Sequence, residues 1–257
     1  MQNKDYTHLT DPQQIAKDAE KNWAKKKANM QVGQISSDAI NLNVQGRRAL
    51  SPLQGFGQMW QKTYSITVKA DEYDAKQMMA VWKARFPDFW PEGNKFYGSI
   101  KGINPGDVAV LNISAPGGMK LSTGIEVMYA DDESFTFMTP QGHMFAGWIT
   151  FSAYDNDDGT ATLKIQALIR ANDPLYELSF RLGVGHKAED SFWFATLKNL
   201  AIFFGDLSAQ PDLDSICVDP RVQWREAKNI WWNAGIRSGI YMMLAPLRWL
   251  GLAKRPT

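Results

Sequence analysis

The chain has 257 residues, 44% of them hydrophobic and 21% charged, with a formal net charge of +1 at neutral pH. That length suits one large domain with additions or two small ones, and the apolar content excludes a disordered chain. The near-neutral balance excludes wholesale nucleic-acid binding, which needs an excess of basic groups against phosphate, and the single cysteine, Cys217, excludes an internal disulfide framework or a cysteine-rich zinc cluster.

Residues 1–29 are polar and lysine-rich without an apolar run, so no secretory leader is expected and the protein is placed in the cytoplasm. Asp11-Pro12 reads as a helix start, because aspartate accepts backbone N–H bonds at the N-cap and proline has no N–H to leave unpaired at N1. The predicted helix runs to about Lys27, with Ile15, Ala19 and Trp23 as a narrow apolar stripe and Lys17, Lys21 and Lys25 to Lys27 as a basic face. From 32 to 58 the pattern fades into Gly, Ser, Asn and Gln, an irregular connector with room for one short strand. A compact domain begins near Trp60, where 63–69 alternates polar and apolar residues as a half-buried strand does.

A helix follows, capped by Asp71 or Asp74. Its face of Ala75, Met78, Met79, Trp82 and Phe86 must pack on something, and Pro87 and Pro91 stop it. Runs at 108–114, 123–130, 134–139, 145–154 and 161–169 are separated by Gly-, Asp- and Pro-rich turns, which predicts an antiparallel meander. Alternation puts Ile125, Val127 and Tyr129 on one face of their strand, and does the same for Phe135 and Phe137, for Ile149 and Phe151, and for Leu163, Ile165, Ala167 and Ile169. After Asp173-Pro174 the segment 175–182 reads as one more strand. A second helix spans about 188–205, its face formed by Trp193, Leu197, Leu200, Ala201 and Phe204. The chain thus divides into an N-terminal helix and connector (1–59), a central domain (60–206) and a C-terminal extension (207–257).

The run Phe135-Thr136-Phe137-Met138-Thr139-Pro140-Gln141-Gly142-His143, with Gly147, Phe151, Asp158-Gly159 and Arg170 following, resembles a bacterial family of unknown function in the START-like, helix-grip (SRPBCC) superfamily. The resemblance implies an α+β fold in which a curved antiparallel sheet wraps a long C-terminal helix, with helical extensions at both ends. It also implies an apolar cavity between sheet and helix, and it supplies no catalytic residues, since fold alone does not choose between enzyme and carrier.

Few residues suit chemistry. His8, His143 and His186 are scattered and unpaired by spacing, so no metal and no cofactor is expected. Gly55-Phe56-Gly57, Gly183-Val184-Gly185 and the acidic run before Gly159 read as turns, not phosphate or calcium loops. His143 is the one weak catalytic candidate, an imidazole at a turn beside the expected cavity, against the plainer role of fixing that turn through its ring. Arg170 could clamp an anionic group at the cavity mouth or form a salt bridge, and Tyr129 could hydrogen-bond a guest or pack as a core aromatic. With them, Phe135, Phe137, Ile149, Phe151, Ile165, Trp193 and Leu197 make up the expected ligand-binding surface.

From 227 to 257 the chain carries Lys228, Arg237, Arg248, Lys254 and Arg255 and no acidic residue. Trp232, Ile236, Ile240, Met243 and Leu247 recur at helical spacing opposite Asn229, Asn233 and Arg237. Basic charge with Trp231, Trp232 and Trp249 at the ends of one apolar face suits a helix lying in a membrane interface, with Arg237 and Arg248 toward lipid headgroups. The competing expectation is a terminal helix folded back with its tryptophans buried on the domain. The favoured function is binding of an apolar small molecule or lipid by a non-enzymatic protein, docking peripherally on the inner face of the membrane. The alternatives are a cyclase- or hydratase-type enzyme using the same cavity and an assembly factor that binds other proteins. Oligomeric state is left open.

Overall fold

The alternating pattern between Met59 and Ala171 forms strands in the computed structural model, which describes residues 19–69, 72–98, 102–114 and 120–249, Arg248 and Trp249 by backbone alone. The strands are β1 (Ala49–Leu50), β2 (Met59–Lys69), β3 (Lys95–Tyr97), β4 (Val108–Ser114), β5 (Lys120–Ala130), β6 (Ser134–Pro140), β7 (Phe145–Asp155), β8 (Thr160–Ala171) and β9 (Asp212–Asp219). They join in one curved antiparallel sheet of order β3-β4-β5-β6-β7-β8-β2-β9, with β1 paired to the end of β6. Hairpins link β4 through β8 in sequence, and β2 then pairs along the whole of β8, from Met59 opposite Arg170 to Lys69 opposite Thr160.

Two helices lie on the concave, apolar face. The first, α1 (Ala75–Ala84), opens with a reciprocal cap: the Asp74 carboxylate accepts from the Gln77 N–H, and the Gln77 side chain accepts from the Asp74 N–H. It stops short of Phe86, because the residue before a proline is disfavoured in the α conformation, and the chain continues as a 3₁₀ turn over Phe86–Phe89. Met78, Met79 and Trp82 are fully buried, with the Trp82 ring edge-on to Phe135 and Phe151. The long helix, called α3 below (Val184–Phe203), buries Leu197, Leu200 and Ala201 against the same core and ends before Gly205, which takes the left-handed conformation. A strand, a helix, a meander and a long gripped helix make this an α+β helix-grip fold.

Segments outside the meander differ from the sequence reading. Residues 175–182 are not a strand: α2 (Pro174–Arg181) is a helix that the Asp173 side chain caps by accepting from the Leu175 and Tyr176 N–H groups, with Glu177 and Arg181 ion-paired one turn apart. Strand β9 forms beyond the expected end of the central domain and adds to the β2 edge. The predicted N-terminal helix lies outside the described residues as far as 18. Residues 19–21 are helical, after which the chain turns and Trp23 bridges to Tyr129 at the edge of β5, so Trp23 and Lys25 to Lys27 are not helical.

The chain closes with a 3₁₀ segment (Trp224–Trp232), α4 (Ala234–Met243) and α5 (Ala245–Trp249). Helix α4 lies on the convex side of β5, where the Ser122 N–H donates to Ser238 Oγ at 3.0 Å and Arg237 Nε donates to Asn43 Oδ1 at 2.9 Å.

Candidate functional site

The grip is filled at one end and hollow at the other. Trp82 and Phe86 reach down from α1 and its following turn into Phe135 and Phe151, whose rings stack with centroids 4.6 Å apart. Beyond this plug a cavity of about 440 Å³ runs between β4–β8 and the first half of α3. Small-molecule sites span roughly 300–1,000 Å³. The wall is mostly aromatic and aliphatic, with Trp90, Phe96, Leu111, Ile125, Phe145 and Phe192 prominent.

Of the residues expected at the site, Phe137, His143, Ile149 and Trp193 line this cavity. Phe135, Phe151, Ile165 and Leu197 point to the same face but belong to the solid end, packed among α1 and α3 side chains. Tyr129 is elsewhere: the β5–β6 register shifts between Val127 and Tyr129, and such a bulge re-aims the following side chains. Its ring packs edge-on to Trp23 and its hydroxyl donates to Asp131. Arg170 is also away from the cavity. One residue past Ile169, it points to the opposite face, where its guanidinium donates to the Gly57 and Arg221 carbonyls and pairs with Asp219 at 2.5 Å, tying the loop before β2 to the exit of β9. Gly55 and Gly57 serve close packing in that loop, since a Cβ on Gly57 would lie 2.1 Å from Glu177 Oε2.

His143 sits at the β6–β7 turn and is buried in the cavity wall. The Phe145 N–H donates to its Nδ1 at 3.0 Å, so the neutral ring carries its proton on Nε2. Burial lowers its pKa to about 4, and the ring is uncharged at neutral pH. The turn-fixing role and the position at a cavity are therefore both observed in one residue.

A polar cluster at the same wall escaped the sequence reading. Lys62 on β2, 2% exposed, is ion-paired to Glu189 of α3 at 2.9 Å and to Asp190 at 2.5 Å, and the Tyr64 hydroxyl donates to Asp190 at 2.7 Å. Glu189 lines the cavity. Burial raises its pKa to about 7 in spite of the Lys62 charge. The signal was present: Lys62 is in phase with Tyr64, Ile66 and Val68, the inward residues of β2, where a lysine needs an anionic partner. His186, one helical turn before Glu189, packs on Trp60 and Phe180 outside the cavity. Among the described residues no group of His, Cys, Asp and Glu is placed to hold a metal ion.

The C-terminal helix presents a second feature. Ala234 and Ser238 are buried on β5, whereas Ile236, Ile240, Met243 and Leu247 face outward, Met243 being 80% exposed. Trp231 is 79% exposed, while Trp232 is partly covered by the Arg47 guanidinium 4.3 Å from its ring. The expected folding-back of tryptophans onto the domain thus holds for Trp232 in part and not for Trp231, and the side chains of Arg248 and Trp249 lie outside the described residues. Among the described residues no helix is long and apolar enough to cross a membrane.

Fold and hollow together define a helix-grip protein with an apolar cavity. Solved structures similar to this chain include a START superfamily protein from Mycobacterium smegmatis, at 16% identity over 57% of this chain and 99% of that chain with a TM-score of 0.37. They also include the di-domain ARO/CYC StfQ of the steffimycin biosynthetic pathway, at 11% identity over 57% of this chain and half of the other's length, with a TM-score of 0.44. A third is protein Ms6760 from Mycobacterium smegmatis, at 12% identity over 67% of this chain and 96% of that chain, with a TM-score of 0.41. Likenesses of this size carry no argument about ligand or activity. No protein-family model matches the chain, and no curated protein does.

Proposed function

We propose that the protein binds an apolar small molecule in the cavity between the sheet and α3. The observation that carries this reading is the unfilled volume of about 440 Å³ beside a close-packed aromatic core. Protein interiors pack at crystal density and leave few voids larger than a water molecule, so an apolar hollow of this size is a site and not slack packing. Titration of the full chain with the neutral fluorophore N-phenyl-1-naphthylamine tests it. Saturable binding is expected, lost when Ala167→Phe or Ile149→Trp fills the wall. No binding to the wild-type chain, or binding unaffected by both fillers in folded protein, overturns the reading.

Docking on an anionic lipid surface goes with this function. Its support is the orientation of α4, whose polar and small residues meet the sheet while its apolar stripe meets solvent, in a region with five basic residues and no acidic one after residue 226. The cavity is close by: Leu121 lines it, and the N–H of the adjacent Lys120 meets Met242 Sδ of α4 at 3.5 Å. Flotation with phosphatidylglycerol-containing vesicles is expected to carry the protein, and pure phosphatidylcholine vesicles to carry less. Replacing Ile236, Ile240 and Met243 by serine is expected to abolish the effect. Equal flotation of this variant, or none of the wild type, refutes lipid docking and leaves a protein partner for this face.

A further inference from the structure

Most polar side chains in the cavity wall are already engaged by the protein. Asn94 Nδ2 donates to the Pro91 carbonyl and Asn94 Oδ1 accepts from the Ser114 N–H, both at 2.9 Å. Ser114 Oγ donates to the Gly93 carbonyl at 2.7 Å, Thr139 Oγ1 accepts from the Gly147 N–H at 3.2 Å, and Glu189 is ion-paired to Lys62. Trp90 is different. It is 8% exposed, and its indole Nε1 is the one buried side-chain nitrogen or oxygen of the lining without a hydrogen-bond partner among the described residues. A buried donor left unmet costs free energy until something pairs with it.

The place of this N–H is set by the turn after α1. Trp90 ends the 3₁₀ turn, and the Phe89 carbonyl beside it accepts from Asn199 Nδ2 of α3 at 3.1 Å, which fixes the turn to the gripped helix. The indole then packs edge-on to Phe86, to Phe96 of β3 and to Phe192 of α3, with centroids 5.5, 5.5 and 5.1 Å away, and all three of these rings line the hollow. Trp82 makes the comparison: its Nε1 is also without a partner among the described residues, but its ring neighbours Phe135 and Phe151 belong to the filled end. The surroundings of Trp90 limit what can pair with it. Asn94 Oδ1 already accepts from the Ser114 N–H, and Ser114 Oγ from Lys120 Nζ at 2.7 Å. A guest hydroxyl would find a donor in the indole and leave its own proton unpaired, whereas a ketone, ester or ether oxygen only accepts. Glu189 is the one charged residue among the described lining residues, so a carboxylate guest would leave water for a wall that offers a negative charge and no cation.

Resting on the cavity reading above, we propose that the cavity takes an uncharged apolar molecule carrying a ketone, ester or ether oxygen, and that Trp90 Nε1–H holds this oxygen. Access requires the Phe96 or Phe192 ring, each partly exposed, to turn aside. Displacement of N-phenyl-1-naphthylamine from the full chain at neutral pH ranks three probes of similar shape: 2-acetylnaphthalene, 2-isopropenylnaphthalene, which has a methylene in place of the ketone oxygen, and 2-naphthoate. The ratio of ketone to alkene affinity is expected to fall roughly fivefold in Trp90→Phe, which keeps an aromatic ring and removes the donor, as the loss of one neutral hydrogen bond gives. 2-Naphthoate is expected to bind weakest. In the infrared, the carbonyl stretch of the bound ketone is expected at a lower frequency than in hexane and close to the hexane value in the variant. A ratio or a stretch unchanged by Trp90→Phe in folded protein, tightest binding of 2-naphthoate, or displacement by none of the three probes overturns the proposal while the cavity reading stands. Failure of the fluorophore and of every probe to bind overturns both. Should Trp90→Phe not fold, the wild-type chain labelled with nitrogen-15 in its indoles decides: an indole N–H signal moved downfield by the ketone and not by the alkene supports the proposal, and no such signal overturns it.

Discussion

At His143 burial strips the charged ring of its hydration, and a pH dependence follows. The folded ring has a pKa near 4 against an ordinary value of 6.5, so the unfolded chain takes up a proton that the folded chain refuses. The stability this contributes is complete above about pH 6.5 and is lost as the pH falls toward 4. Urea unfolding across that window is expected to show His143→Asn losing less stability on acidification than the wild type. Glu189 acts in the opposite sense. Its folded pKa is raised from 4.5 to about 7, so its contribution is complete below 4.5 and is lost as the pH rises through 7. Lys62→Met leaves that carboxylate buried without its closest cation, and removing one partner of a buried pair costs about 3–5 kcal/mol. The loss is expected to be larger above pH 7 than below, because a protonated Glu189 needs no ammonium. Denaturant midpoints of the variant at acid and alkaline pH check this, and equal losses at both would argue that the pair is not what holds Lys62. Of these residues only His143 was singled out beforehand. A lysine on an inward strand position and a glutamate on a helix become a site only when two elements distant in sequence are brought face to face.

Among the elements, the β6–β7 turn and α2 carry separate consequences. Gly142 takes φ +94°, and a Cβ there would lie 2.0 Å from the Trp232 carbonyl oxygen, where the C-terminal segment crosses the turn. Gly142→Ala therefore combines a left-handed backbone with a clash and is expected to cost at least about 1–3 kcal/mol in thermal unfolding. Asp173→Ala removes the α2 cap and the acceptor of the Asn233 side chain, and is expected to cost about 1–2 kcal/mol, read by the same melt. The meander and both helices on the concave face were legible because period-2 and period-3.6 patterns are local. Helix α2 was not read, although Asp173-Pro174 repeats the Asp-Pro start recognised at residue 11, because the segment is short and its apolar residues fit either period. Tyr129 was misplaced for a different reason. Strand alternation holds only without a bulge, and the extra residue near Met128 has no mark in composition.

Over the whole molecule, the clearest departure from ordinary burial is α4, a helix with its apolar stripe turned outward. Since Ile236, Ile240 and Met243 contribute little to the core, replacing all three by serine is expected to leave the unfolding free energy within about 0.5 kcal/mol per site, as for other surface substitutions. Calorimetry showing a large destabilisation would mean that this face is structural after all. The stripe itself was plain in the sequence, but its direction was not, because amphipathicity says that two faces differ and not which of them meets the protein. Composition, turn chemistry and hydrophobic period determined, unaided, that the chain makes an antiparallel meander with helices against its apolar face. Only tertiary structure decided that Trp82 and Phe86 plug one end of the grip and leave the other hollow, that Lys62 meets Glu189, and that Arg170 ties two loops together on the opposite face of the sheet. The physical reason is that secondary structure follows from interactions among residues a few positions apart, whereas a void, a buried ion pair and an exposed face depend on volumes and charges contributed by segments more than a hundred residues distant.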